Sequence, residues 1–137
     1  MVLIMELPDY DTLFTNYQTE ILGDIKVDEF SLKDKAMLVP VIKHKWVARL
    51  MMHKDQMRRL ANAKKSAIKA HTANTPVALS RQAAEQAALN DPNIAKLDES
   101  VEKLKIIIEY LEKVEKLTGS LTFDCKNVID LQKLETT

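Results

Sequence analysis

Residues 43–71 hold nine bases, Lys43, Lys45, Arg49, Lys54, Arg58, Arg59, Lys64, Lys65 and Lys69, against a single acid, Asp55. Cations without matching acids attract polyanions, phosphate esters above all. Lys54, Arg58, Lys65 and Lys69 follow one another at spacings of 4, 7 and 4, so on a helix they share one side. That side borders a line of apolar residues instead of opposing it. The helix can therefore dock by one face and leave its cations available to phosphates. Most charge runs are solvated faces, but solvated faces mix their signs and this one does not, which favours a nucleic acid. The candidate contacts are Lys54, Arg58, Arg59, Lys64, Lys65, Lys69 and His71. Binding through them would be salt-dependent and weakly selective among bases.

Other chemistry is hard to build. Gly23 and Gly119 are the two glycines, too far apart for any phosphate loop. Cys125 is the sole cysteine, so no intrachain disulfide is possible and no zinc set surrounds it. His44 and His53 fall on opposite faces of one helix and cannot chelate together. His53 lies on the apolar line and reads as a packed, hydrogen-bonded histidine. The carboxylates sit as Glu99–Lys103, Glu109–Lys113 and Glu112–Lys116, which are solvated i,i+4 pairs. Single strands are usually held by stacking as well as charge, yet Trp46 is the one aromatic in the basic run, and its place on the apolar line suits a core. The expectation is a non-enzymatic binding protein without metal or cofactor.

The elements that must position these residues are helices. Ala, Leu, Lys, Glu, Gln and Met dominate long stretches, and 137 residues contain only two glycines and four prolines. The expected fold is all-α and a single domain: an N-terminal segment 1–30, a basic helical region 31–72, a linker 73–91 and a C-terminal helix 92–134. Leu13, Tyr17 and Ile21, with Phe14 beside them, predict a helix over about 10–22 that Gly23 stops. Ser31 and Asp34 look like a capping box for the next helix. Along it Ile42, Trp46, Leu50, His53, Met57, Leu60 and Ile68 share one face, and Pro40 predicts a kink or break. In the linker, Thr75-Pro76 reads as a cap before a weak helix.

Asp91-Pro92 starts the last helix, which at 1.5 Å per residue would run about 65 Å if unbroken. Ile94, Leu97, Val101, Leu104, Ile108 and Leu111 alternate three- and four-residue spacings, a heptad seam, and the phase shifts at Val114. Ile106-Ile107-Ile108 widens that stripe, which suggests neighbours on more than one side. Leu97, Val101, Leu104, Ile107, Ile108, Leu111, Val114 and Leu121 are therefore the expected self-association seam, part of it also packing within the chain. Gly119 weakens this helix without having to end it.

The N-terminal apolar run is too short for a signal peptide, and nothing approaches a membrane span. An amphipathic membrane-surface helix is disfavoured because Asp55 and the alanine-rich stretch leave no large apolar face. The competing reading is a scaffolding protein whose basic helix meets an acidic protein surface.

Lys45-Trp46, His53-Lys54, Met57-Arg58-Arg59-Leu60, Ala63-Lys64-Lys65 and Ala67-Ile68-Lys69-Ala70 together resemble the UvsY recombination mediators of T-even-type phages. Ile94-Ala95-Lys96-Leu97-Asp98 and the later Phe123, Lys126, Val128 and Leu131 are similar to the same family, so the likeness spans roughly residues 30–133. It implies a helical accessory protein of homologous recombination in the cytoplasm of an infected host cell. Its partners would be single-stranded DNA, a phage single-stranded-DNA-binding protein, a RecA-like, UvsX-type recombinase, and other copies of itself. The copies would form a ring of about six or seven subunits through their C-terminal helices. A Lys-Ala-Arg-like DNA-binding segment of the family matches Lys69-Ala70-His71, where His71 replaces the arginine and removes most of one charge at neutral pH.

Overall fold

The computed structural model describes residues 7–74 and 80–136, the side chain of Glu29 excepted. Its elements are α1 (Tyr10–Ile25), a 3-10 turn (Glu29–Ser31), α2 (Leu32–Ala73), α3 (Arg81–Leu89), α4 (Pro92–Gly119) and α5 (Leu121–Glu135). The fold is all-α, as the composition requires.

Each helix begins and ends for local reasons. Asp9 caps α1 by accepting from the Thr12 N–H at 3.2 Å. Gly23 does not stop the helix: its φ is not positive. The turn continues to Ile25, and the Lys35 ammonium takes the carbonyls of Gly23 and Asp24 at 3.0 Å each. A lysine from the next helix thus replaces the left-handed glycine cap. The expected capping box is also absent, because Ser31 makes no side-chain cap bond. Asp28 takes that duty one turn earlier, accepting from the Phe30 N–H at 2.9 Å. The chain then enters α2 through the 3-10 turn.

Pro40 does not break α2, which runs 42 residues through it. Pro40 is exposed, while Val39 and Ile42 on either side are buried. Packing holds both halves, and the carbonyl that loses its donor can turn to water. Between α2 and α4 the linker folds into α3, capped by Ser80 on the Ala83 N–H at 3.2 Å and anchored by the fully buried Ala88. The expected Thr75-Pro76 cap lies outside the described residues. Asp91 caps α4 through the N–H groups of Asn93 and Ile94 at 2.9 and 3.4 Å.

The single C-terminal helix expected from the sequence is two helices. Gly119 ends α4, and Ser120 turns the chain with its N–H and hydroxyl on the Leu117 carbonyl at 3.3 and 2.8 Å. Glycine is the poorest helix former after proline, and the serine hydroxyl competes for a helical carbonyl, so the pair breaks here.

α2 and α4 pack antiparallel: Lys64 meets Asp98, Lys54 meets Glu112, and Lys43 reaches Thr122 at the start of α5. α1 lies in their groove, its Asp11 on Lys103 and its Glu20 on Lys45 and Arg49. The middle of the molecule is thus a three-helix bundle. At one end α3 replaces α1 beside α2 and α4; at the other, the first turns of α2 pair with α5. Trp46, Leu104, Leu111, Val114 and Leu121 are 0% exposed at the core. Each such side chain contributes about 1.5–3 kcal/mol relative to exposure.

Candidate nucleic-acid interface

The first part of the basic run is neutralised inside the bundle. Lys45 pairs with Glu20 and Asp24 at 2.8 and 2.6 Å, and Arg49 pairs with Glu20. Asp24 also accepts from the Trp46 indole N–H at 2.8 Å. Burial works against ionising Glu20, but the Arg49 and Lys45 donors outweigh it and hold its carboxyl below the ordinary range. Arg49 lies over the Trp46 and Tyr17 rings at 4.8 and 5.0 Å. Trp46 has no exposed surface and cannot stack on a base. Acids of α1, distant in sequence, therefore absorb charge that the sequence leaves unbalanced.

His53 is packed and hydrogen-bonded as its place on the stripe implied. Its Nε2 is 2.8 Å from the Tyr17 hydroxyl and its Nδ1 is 2.7 Å from Gln56 Oε1. Oε1 can only accept, so Nδ1 carries the proton and Nε2 accepts from tyrosine.

Past His53 the cations become accessible. Lys54 makes a long contact of 3.7 Å with Glu112. Asp55 lies between Arg58 and Arg59, 3.0 Å from each, and both arginines remain largely exposed. Such exposed pairs are weak and readily exchanged for a phosphate. Lys64 turns toward α4 and binds Asp98 at 2.5 Å. His71 is half-buried on the packed side of α2, away from the exposed row. Lys65 and Lys69 are exposed one turn apart, and no ion pair engages either among the described residues.

Lys65 and Lys69 rim a groove of about 570 Å³ between the end of α2 and α3. Its other wall carries Arg81, a cation outside the basic run, with a side chain 94% exposed. Sequence reasoning missed Arg81 because it stands alone inside the 73–91 stretch read as a linker; the signal available was its place just after the Ser80 cap, on a short helix that returns toward α2. Among the described residues no group of three or more His, Cys, Asp or Glu could hold a metal ion, and no helix is long and apolar enough to cross a membrane.

The expected self-association seam divides. Leu104, Ile107, Leu111, Val114 and Leu121 are at most 1% exposed, packed within this chain and closed to a second copy. Leu97, Val101 and Ile108 are partly buried against the same core. Ile106 on α4 is 54% exposed, and further exposed apolar side chains are Phe30, Met37 and Val41 around the start of α2 and Phe123, Leu131 and Leu134 on α5, each more than half exposed.

A long antiparallel helical pair, with exposed cations at one end and exposed apolar side chains at the other, places the chain among all-α helical bundles. The family model described as "Recombination, repair and ssDNA binding protein UvsY" matches residues 20–137, and the chain belongs to that family. Its fold is similar to crystal structures of the bacteriophage T4 recombination mediator protein UvsY. One superposes with a TM-score of 0.78 at 21% identity, covering 89% of this chain and 98% of that one. A second lattice form gives 0.76 at 20% identity, covering 90% and 97%. At such identity the likeness speaks for the fold. No curated protein sequence matches the chain.

Proposed function

We propose that the protein is a non-enzymatic recombination mediator. It binds single-stranded DNA along the distal half of α2 and helps a RecA-like recombinase onto strands coated by a single-stranded-DNA-binding protein, in the cytoplasm of an infected host cell. The observation that carries this reading is the exposed Lys65–Lys69 pair, without ion-pair partners among the described residues, in a chain of a single-stranded-DNA-binding family. Arg58, Arg59 and Lys54 extend the row, their acids being exchangeable. His71 and Lys64 support the helix from its packed side.

Assembly supplies the avidity that so short a row lacks, since each copy adds its cations to one strand. The apolar end of the molecule supports it. Phe30, Met37 and Ile129 line a groove of about 560 Å³, while Phe123, Leu131 and Leu134 project from α5. By helical spacing Ile129 is on a different flank of α5 from those three. Two unlike apolar patches favour head-to-tail association, which closes into a ring when the rotation allows.

The test is filament assembly by a cognate recombinase on strands already covered by single-stranded-DNA-binding protein. The wild-type chain should shorten the lag before filaments form, and the Lys65→Ala/Lys69→Ala variant should leave it unchanged. Equal activity of the two would remove the proposed site.

A further inference from the structure

The phosphate row explains attraction to any nucleic acid and gives no reason to prefer an unpaired strand. Bases need a surface of their own, and the aromatic side chains do not provide one near the lysines. Tyr10, Tyr17 and Trp46 are buried, Phe14 and Tyr110 pack edge-on against each other at 5.2 Å, and Phe30 and Phe123 are at the opposite end of the bundle. The α2–α3 groove has the missing surface. Its floor is the aliphatic patch Ile68, Ala84 and Leu89, and its rim is Lys65 and Lys69 on one side and Arg81 on the other. Its volume of about 570 Å³ falls within the ~300–1,000 Å³ of clefts that hold small-molecule-sized groups.

Resting on the single-strand reading above, we infer that this groove is a nucleotide subsite: it receives one unpaired base between α2 and α3, with Arg81 and Lys65/Lys69 on the flanking phosphates. The groove, not the phosphate row, then sets the preference for single strands, because a stacked and paired base cannot enter a cleft between two helices. Arg81 suits the role, since its planar fork binds a phosphate by two donors or lies flat on a base. At rest it is held by Glu85 at 3.3 Å, one turn along α3. A strand that takes Arg81 must displace that exposed pair.

Fluorescence anisotropy with a labelled thymidine oligonucleotide and with a hairpin duplex of equal phosphate count separates the two contributions. Ala84→Leu fills the floor without changing charge; it should weaken single-strand binding about tenfold and leave duplex binding unchanged. Glu85→Gln frees Arg81 and should tighten single-strand binding two- to threefold. Arg81→Ala should lower the log–log salt slope by about 0.7, one single-strand phosphate contact. Circular dichroism confirms that each variant keeps its helicity. Equal weakening on both probes for Ala84→Leu, or no weakening on either, overturns the subsite. If Lys65→Ala/Lys69→Ala still weakens binding in that case, the phosphate row stands without the groove. If that variant also binds as wild type, the underlying site falls with it.

Discussion

The hydroxyl of Tyr17 and Nε2 of His53 meet at 2.8 Å, and neither residue is more than 5% exposed. Thirty-six residues apart in sequence, they tie α1 to the middle of α2 at the point where the ion-paired Lys45 and Arg49 give way to the exposed cations. Tyr17→Phe leaves Nε2 buried without a donor and should cost about 1–3 kcal/mol, read from chemical denaturation.

The same contact makes stability depend on pH. Burial is the largest cause holding His53 below 6.5; the Gln56 contact works against it and the Arg49 charge works with it. Tyr17, which faces it from α1, brings no carboxylate. The unfolded chain therefore takes the proton first as pH falls. The stabilisation is full above the unfolded value of about 6.5 and is lost as pH drops through the folded one. Melting temperature should fall between pH 7.5 and 5.5 in the wild type. His53→Gln should flatten that stretch of the profile, and an equally steep profile would place the titration elsewhere.

The proposed assembly and the fold use different apolar residues, and substitutions should separate them. Phe123→Asp with Leu131→Asp changes side chains 63% and 58% exposed, so the variant should sediment as a helical monomer. Ile107→Asp puts a charge into a core position 1% exposed and should unfold the subunit, costing more than about 4 kcal/mol. Sedimentation with circular dichroism reads both, and a Phe123/Leu131 variant that stays associated would remove the α5 face from the assembly.

A Cβ added at Gly119 would meet nothing within 4 Å, and the residue's φ is not positive. Gly119→Ala should raise stability by about 0.5–1 kcal/mol, seen as a higher melting temperature. A lower one would mean that the α4–α5 turn needs glycine's freedom.

Much of this was legible in sequence where apolar spacing alone decides. The Trp46–Leu60 stripe and the Asp91-Pro92 start both stand as the pattern implied. The seam of α4 was misread because polar residues take part in it. The line that packs inward is Leu97, Ser100, Leu104, Ile107, Leu111, Val114, Thr118, Leu121 and Cys125, an unbroken heptad that crosses the Gly119–Ser120 break. Ser100 and Thr118 hide it from an apolar count. Thr118 tolerates burial because its hydroxyl donates to the Glu115 carbonyl at 3.1 Å. Leu117, the apolar neighbour of Thr118, is 48% exposed and lies off the line. The site was legible only in part, because charge balance is settled between helices. Glu20, Asp24 and Asp98 neutralise bases distant in sequence, and Arg81 joins the site only when α3 folds back.

The central claim, that exposed cations at the end of α2 hold a single strand by its phosphates, is tested most directly by the salt dependence of binding. Each single-strand phosphate contact contributes about −0.7 to the slope of log affinity against log salt. Lys65 and Lys69 are both exposed, and alanine is the better helix former, so Lys65→Ala/Lys69→Ala should fold and assemble as the wild type does. Titrating a thymidine oligonucleotide across a salt series, the account predicts weaker binding and a slope shallower by about 1.4, since two phosphates per binding unit no longer meet a lysine. An unchanged affinity and slope would mean that residues 43–71 are a solvated face and that the strand is held elsewhere.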